Sequence, residues 1–480
     1  MKKTDRKYSG QVFTPQFLVD NMLDNCDYKV NPTIIDKHII DNSCGRGAFL
    51  CEIVKRYCSA CDIAELSIEQ MRNFLSTYIH GLDSDISAVS TCIDNLNKIV
   101  AQYGITDVKW DIRTANALKV KDYNNKMDFV VGNPPYVRVH NLKENYADVK
   151  GFTFNKKGMT DLYLAFYELG FGMLAEGGKL CYITPNSWLN STAASSMRKY
   201  IMYHKNIVSL IDMGHFQPFD NATTYTLIAL FTKGNNSEKF KYYTYDQYAL
   251  QEVYVCDLTY SDIYIDGNFY PADYSVLSML HNIKTTPSAQ FARVKNGFAT
   301  LSDNVFINDR IPDSPYTIKT IKASTGRWHK CFYPYDAKGK PIDKAQLFSD
   351  TGIKQYMELH RQDILKGKDE YPGWYLYGRT QALADVGKRK IAINTIIKGL
   401  DSIKIEEIPA GCGVYSGLYI LTNVAVSTIR DIIVCEEFIK YVALLKKYKS
   451  GGYYTFSSKD IEQYINYKLT YQYDKRKQIA

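Results

Sequence analysis

Met127-Asp128-Phe129-Val130-Val131-Gly132-Asn133-Pro134-Pro135-Tyr136 is the stretch from which the rest of the chain is read. Its apolar front is β-branched and aromatic and ends in Gly and Pro, the pattern of a strand buried on both faces. Two prolines stop the strand and leave a stiff turn at its carboxyl end. In open α/β sheets ligands bind at that end. The turn offers the amide oxygen of Asn133, the carbonyl of Pro134 and the ring of Tyr136. Two acceptors and one π-face suit a planar amine such as the exocyclic amino group of adenine. For an isolated Asn-Pro, a proline-rich turn with a capping Asn would serve as well.

Working towards the amino terminus, Ile39-Ile40-Asp41-Asn42-Ser43-Cys44-Gly45-Arg46-Gly47-Ala48-Phe49-Leu50 has the form of strand, glycine turn and helix. Glycines there let backbone come close to a ligand. The spacing argues against a nicotinamide fingerprint, because Leu50 occupies the third glycine position and the next strand-end acid, Asp83, lies well beyond 20 residues. Asp83-Ser84 would end a second strand, where a carboxylate can accept both ribose hydroxyls. Residues 108–113 suit a third strand, followed by Asn116-Ala117, with Asn116 open to an adenine edge or to a plain turn. Before all of these, Phe13-Thr14-Pro15 leads into a helix marked by Phe17, Leu18, Met22 and Leu23. Thr14 is open to two roles, a carboxylate ligand or an N-cap.

Working towards the carboxyl terminus, Asp161-Leu162-Tyr163-Leu164-Ala165-Phe166 starts a helix, and Lys179-Leu180-Cys181-Tyr182-Ile183-Thr184-Pro185 is a fifth strand. A helix is expected over 192–203. Ile207-Val208-Ser209-Leu210-Ile211-Asp212 and Thr224-Tyr225-Thr226-Leu227-Ile228-Ala229-Leu230-Phe231 make strands six and seven. No helix separates these two, so they pair antiparallel. Between them runs a loop with exposed aromatics, Phe216 and Phe219. The sum is an α/β fold, a doubly wound, mostly parallel, seven-stranded Rossmann-like sheet with a reversed last strand. The polar run Lys233-Gly234-Asn235-Asn236-Ser237-Glu238-Lys239 is the expected linker. It divides a domain of residues 1–235 from a smaller-stranded α+β domain of residues 240–480, in which helices stay brief until 428–447.

Composition bounds the class. A chain of 480 residues suggests two domains, and 45% hydrophobic content supports ordinary cores. No apolar run is long enough for a membrane span, and no apolar segment follows the basic start, so neither a membrane protein nor a signal peptide is expected. Eleven cysteines then fit reduced, buried thiols in a cytoplasm. Cys58-Ser59-Ala60-Cys61 has metal-like spacing, but no second pair answers it, and no metal is expected. The net charge of +8 lies mostly in the second half and points to a polyanion. There, Arg327-Trp328-His329-Lys330, Gly373-Trp374-Tyr375-Leu376-Tyr377-Gly378-Arg379-Thr380-Gln381 and Lys388-Arg389-Lys390 interleave cations with aromatics, as backbone and base contacts require. Arg327, Arg379, Gln381, Lys388, Arg389 and Lys390 are the candidate nucleic-acid contacts, with solvated loop positions as the alternative that suits any single one of them better. The 40 tyrosines fit either an AT-rich genome or a stacking surface.

In this order the stretches resemble the gamma-class N6-adenine DNA methyltransferases of bacterial type II restriction–modification systems. The likeness covers roughly residues 8–235 motif by motif, with Asn133-Pro134-Pro135-Tyr136 matching the family's catalytic motif in full. It implies S-adenosyl-L-methionine as cofactor and a flipped-out adenine in double-stranded DNA as substrate. Thr14, with Phe13 before it, falls on the position for the methionine carboxylate. Asp41 falls on that for the ammonium, and Ser43, Gly45 and Gly47 on the backbone cradle. Asp83 and Ser84 take the ribose position, Asn116 and Ala117 the adenine edge, where many relatives carry Asp, and Pro135 and Phe166 line the pocket. Phe219, with Phe216 as runner-up, would stack on the target base against Tyr136. The resemblance further implies a DNA target-recognition role for residues 240–480, a monomer, and the modification enzyme of a system that can include a separately encoded endonuclease, or an orphan enzyme. Other readings are an RNA adenine methyltransferase, a protein-glutamine methyltransferase and a non-catalytic recognition subunit. The large second half argues against the second of these, and the intact motifs against the third. A nuclease segment is not expected within the sequence.

Overall fold

The computed structural model describes residues 13–138, 141, 146–219 and 224–479, with side chains as far as residue 471. The basic start, the expected turn at residues 10–12 and residues 220–222 of the aromatic loop lie outside the described residues.

The first compact unit, Met1–Leu277, is built on one sheet. Its strands are β1 (Ile39–Asp41), β2 (Ile79–Asp83), β3 (Asp111–Thr114), β4 (Met127–Gly132), β5 (Leu174–Pro185), β6 (Ile207–Asp212), β7 (Thr226–Thr232), β8 (Lys239–Asp246) and β9 (Gln251–Thr259). They lie in the order β3-β2-β1-β4-β5-β7-β6-β8-β9, and a short antiparallel pair, β10 (Tyr264–Ile265) and β11 (Asn268–Phe269), follows. β1 to β5 run parallel. β7 is reversed between β5 and β6, as the lack of a helix between strands six and seven requires. Helices α1 (Gln16–Asn25), α2 (Ala48–Ile63), α3 (Ile68–Tyr78), α4 (Ile86–Ala101), α5 (Tyr146–Gly151), α6 (Leu162–Met173) and α7 (Ser195–His204) alternate with these strands. β1 is flanked on both edges, so Ile39, Ile40, Val130 and Val131 are wholly buried, and Leu18, Leu50, Leu96 and Ile183 belong to the same core.

Two expectations are corrected here. The sheet has nine strands, not seven, because β8 pairs parallel with β6 and β9 pairs antiparallel with β8. The run at 233–239 is therefore a turn within the sheet, with Gly234 and Asn236 at positive φ, and the compact unit continues to Leu277 instead of ending near 235. Turn chemistry is the same in a linker and between paired strands, and only the pairing beyond it separates the two. Among smaller shifts, the third strand is Asp111–Thr114, and the helix expected at 192–203 is Ser195–His204.

The second unit, Ser278–Ala480, holds three small sheets. Four strands, β12 (Ala292–Asn296), β15 (Lys390–Ile393), β17 (Ile405–Ile408) and β19 (Leu418–Thr422), lie in the order β12-β19-β15-β17. β13 (Thr317–Lys322), β14 (Arg327–Phe332) and β18 (Gly413–Tyr415) form a second sheet, and β16 (Ile396–Ile397), β20 (Tyr448–Lys449) and β21 (Tyr453–Thr455) a third. The helix expected at 428–447 is two helices, Val426–Ile433 and Glu436–Leu444, and a helix at Ser458–Ile479 had no sequence expectation. That last helix covers the edge of β12. Asn466 Oδ1 accepts the amides of Phe291 and Ala292, and Glu462 accepts that of Val294, so edge groups that would otherwise invite pairing are satisfied.

Candidate active site

Strand order reverses direction about β1, with β2 on one side and β4 on the other. Crevices at such a switch point are where doubly wound sheets bind ligands. Asp41 ends β1, and Asn133 follows β4 directly. Asp41 is buried, and its Oδ1 accepts the amide of Ser43 at 3.0 Å. Burial pushes its carboxyl up to about 7, neighbouring Asp83 adds to the rise, and the Ser43 hydrogen bonds oppose it. Gly45 and Gly47 both take left-handed φ, +52° and +89°, which turns the chain from β1 into α2. A Cβ on Gly45 would meet nothing within 4 Å, so the turn leaves open space above the strand. Asp83 anchors this turn from the end of β2. Its Oδ2 accepts the Gly45 amide at 2.8 Å, and its Oδ1 accepts that of Asp85 at 2.9 Å.

Gly132 is a residue that sequence reasoning passed over. Its φ is +151°, and a Cβ there would come within 2.8 Å of Asp41 Oδ1. Glycine lets β4 approach the Asp41 carboxylate, and the signal was its place just before Asn133. The Asn133 amide is held at both ends. Its Nδ2 donates to Thr14 Oγ1 at 3.2 Å, and its Oδ1 accepts the Tyr136 hydroxyl at 2.5 Å. The same hydroxyl lies 3.0 Å from the Ile183 carbonyl on β5, so one phenolic proton has two acceptors. Thr14 has only 4% of its surface exposed and does not cap α1. The cap position is Pro15, with no side-chain hydrogen bond.

Tyr136 contacts Tyr163 of α6 edge-on at 6.5 Å between centroids, and Phe219 at 6.4 Å with 67° between the rings. Tyr163 was also missed, although it lies at helical spacing from Phe166 and Tyr167. Phe219 was expected in a loop of exposed aromatics, yet it is only 4% exposed and belongs to the sheet core. Its apolar surface buries against Tyr136 when nothing lies between them. Phe216 is only partly exposed and stacks on Tyr245 at 5.7 Å and 5°.

The remaining candidates divide. Asn116 uses Oδ1 to accept the Leu118 amide at 3.1 Å, capping the short turn Ala117–Lys119, the bland alternative read from the sequence. Ala117 and Phe166 are buried, Ser84 is exposed, and Phe13 is 79% exposed. Pro134 is buried and Pro135 half-buried. Cys58 and Cys61 are buried free thiols in α2, and no cluster of metal-ligating side chains occurs among the described residues.

In the second unit, Arg327 and Arg379 are exposed. Lys388 is exposed but pairs with Asp385 at 2.8 Å, and Arg389 pairs with Glu407. Gln381 donates Nε2 to the Gly297 carbonyl at 2.5 Å. Lys390 is corrected as a DNA contact. It is 3% exposed on the central strand β15 and donates to the carbonyls of Val386 and Cys412, and burial lowers its ammonium to about 8.

Residues 57–219 match the family model of the Eco57I restriction-modification methylase, a span that contains Asp83, Asn133 and Phe219. The chain is 24% identical over 530 aligned positions to the type II restriction enzyme and methyltransferase RM.Eco57I of Escherichia coli, covering 87% of this chain and 52% of that protein. It is 26% identical to the type II methyltransferase M.BstVI of Geobacillus stearothermophilus, covering 45% and 40%. The chain thus spans about half, or less, of the length of these relatives. Among solved structures, that of the type IIL restriction-modification enzyme MmeI in complex with DNA superimposes with a TM-score of 0.68 at 12% identity, over 95% of this chain and 68% of that one. The nuclease-deletion mutant of the type ISP enzyme LlaGI follows at 0.57 and 11%, over 96% and 47%. The resemblance drawn from the motifs is upheld by the family match and by the type II methyltransferases, and the Rossmann-like fold by the superpositions.

Proposed function

We propose, from the match of residues 57–219 to the Eco57I restriction-modification methylase family, that the chain is a site-specific DNA methyltransferase. It methylates the N6 amino group of an adenine turned out of duplex DNA, using S-adenosyl-L-methionine. The first unit carries the chemistry, and the second recognises DNA.

The observation that carries this reading is the Asn133 amide fixed at the carboxyl end of β4 beside the buried Asp41 carboxylate. The fit of the cofactor is supported by two features of the crevice. The Gly45 turn is open, and Asp83 keeps unused lone pairs. Asp41 would hold an ammonium, Asp83 ribose hydroxyls, Thr14 with the first turn of α1 a carboxylate, and Asn116 an adenine edge. When bound, S-adenosyl-L-methionine supplies an electrophilic methyl group.

The chain's own residues position the nucleophile. Asn133 Oδ1 and the Pro134 carbonyl accept the two amino hydrogens, which favours a more tetrahedral nitrogen and supports the positive charge that forms on it. To free Oδ1, the Tyr136 hydroxyl turns to the Ile183 carbonyl already 3.0 Å away. A base sandwiched between Tyr136 and Phe219 needs about 7 Å between roughly parallel rings, two contact distances of ~3.5 Å. At 6.4 Å and 67° the slot is closed, so Phe219 moves aside when the base enters. Positioning and electrostatics suffice, because the methyl donor is already activated.

The test is transfer of labelled methyl groups to DNA, RNA and protein, with modified bases identified in an expressing host. N6-methyladenine in duplex DNA is expected, and Asn133→Ala should abolish turnover while cofactor and DNA still bind. Labelling of RNA or of glutamine amides instead would select the other methyltransferase readings. Absence of transfer with retained DNA binding would select the recognition subunit.

A further inference from the structure

We infer that Thr14 is a positioning residue through which the anionic end of the bound cofactor strengthens the hold of Asn133 on the target amine. The inference rests on the function proposed above and adds a coupling between its two substrates.

An asparagine amide can present either its oxygen or its nitrogen to a ligand, and only the oxygen accepts an amino hydrogen. In this crevice the choice is made from one side by Tyr136, which donates to Oδ1, and from the other by Thr14, whose hold remains when the Tyr136 hydroxyl turns away. Asn133 Nδ2 donates to Thr14 Oγ1, which turns Oδ1 towards Tyr136 and the base side of the crevice. The Thr14 hydroxyl acts there as acceptor. Its own hydrogen has no acceptor among the described residues, although the side chain is buried. The hydroxyl is also not spent on capping, since Pro15 is the cap residue of α1 and no acidic residue sits in the first turn. A buried hydroxyl proton beside the uncapped positive end of a ten-residue helix suits an anion, and a carboxylate in particular.

The two bonds of one hydroxyl reinforce each other. When Thr14 donates to an anion, its oxygen becomes a better acceptor and draws the Nδ2–H bond tighter. A more strongly held Nδ2 places more electron density on Oδ1 through the conjugated amide, and Oδ1 is the atom that takes the adenine hydrogen. It also raises the cost of flipping the amide. The carboxylate end of one substrate therefore improves the acceptor for the other, without any movement of the sheet. Such coupling is reciprocal.

The experiment uses the full chain and a duplex with 2-aminopurine at the adenine it methylates. Duplex affinity and 2-aminopurine fluorescence are measured without cofactor, with saturating S-adenosyl-L-homocysteine (the demethylated product), and with saturating 5′-methylthioadenosine, which lacks the amino-acid end. In the unaltered protein the first ligand should raise duplex affinity by roughly fivefold, the low end of usual coupling factors, and the second should not. Thr14→Val should remove the enhancement at saturating ligand, so that KM for DNA rises by about the lost factor and kcat falls as well, whereas Thr14→Ser should keep both near the unaltered values. Equal enhancement by the two ligands, no enhancement by either, or full enhancement in a folded Thr14→Val protein would each overturn the inference. The two-ligand comparison needs no variant, so misfolding of Thr14→Val leaves the test intact. If the unaltered protein transfers no methyl group to DNA, it is the function that fails instead.

Discussion

Asp41 sets a pH dependence at the scale of a single residue. Its folded carboxyl is raised from 3.8 to about 7, mainly by burial, so the native state holds the proton more tightly than the unfolded chain does. The sign follows from linkage: the ligand-free protein loses stability as pH rises from about 4 to about 7, and the loss is complete above that. Cofactor binding has the opposite trend, because an ammonium needs the ionised carboxylate. Affinity for S-adenosyl-L-homocysteine should therefore be several-fold weaker at pH 6 than at pH 7.5, approaching tenfold per unit well below the midpoint. Calorimetric titration at the two pH values checks this, and Asp41→Asn should be weak and flat across them. A flat profile in the unaltered protein would remove Asp41 from the ammonium role.

At the scale of elements, the turns after β1 and β4 carry the site, and their glycines are not equivalent. Gly132→Ala puts a methyl 2.8 Å from Asp41 Oδ1 at a φ of +151°, a conformation that costs roughly 1–3 kcal/mol for a residue with a side chain. Gly45→Ala meets open space at φ +52° and should cost only about 1 kcal/mol. Gly132→Ala should accordingly lower Tm and weaken cofactor binding more than Gly45→Ala, by differential scanning calorimetry and titration. The reverse order would mean that the Asp41–Gly132 approach does not matter. These turns were legible from sequence because Gly and Pro punctuate apolar runs locally. Lys390 was misread because its neighbours Lys388 and Arg389 are solvated, and only the pairing of β15 between β17 and β19 buries it. Phe219 and the Thr14–Asn133 bond were illegible for the same reason: both depend on residues far apart in the chain.

At the scale of the whole molecule, sequence reading found two parts but misjudged the seam, because the pairing of β8 with β6 lies beyond any local pattern. The proposal that the second unit holds DNA makes its exposed arginines measurable. Binding of the full chain to duplex should weaken linearly in log–log salt plots. Arg327→Ala or Arg379→Ala should each reduce the slope by about 1 if the side chain meets a phosphate, or relax preference at one base pair if it reads a base. Lys390→Ala should leave the slope unchanged, and any loss there should appear as lower stability. An unchanged slope and preference in both arginine variants would take these residues out of the interface. The added pair of strands also governs where the chain can safely be cut. β8 caps β6, a run of mostly buried residues, and a chain ended at residue 235 would leave that row of backbone donors and acceptors bare. Bare, flat, apolar edges recruit further strands. Such a fragment should self-associate in light scattering where one ended at residue 272, past β9 and before the helix Tyr274–Thr285, stays dispersed, so exchange of recognition parts between relatives belongs at the later position.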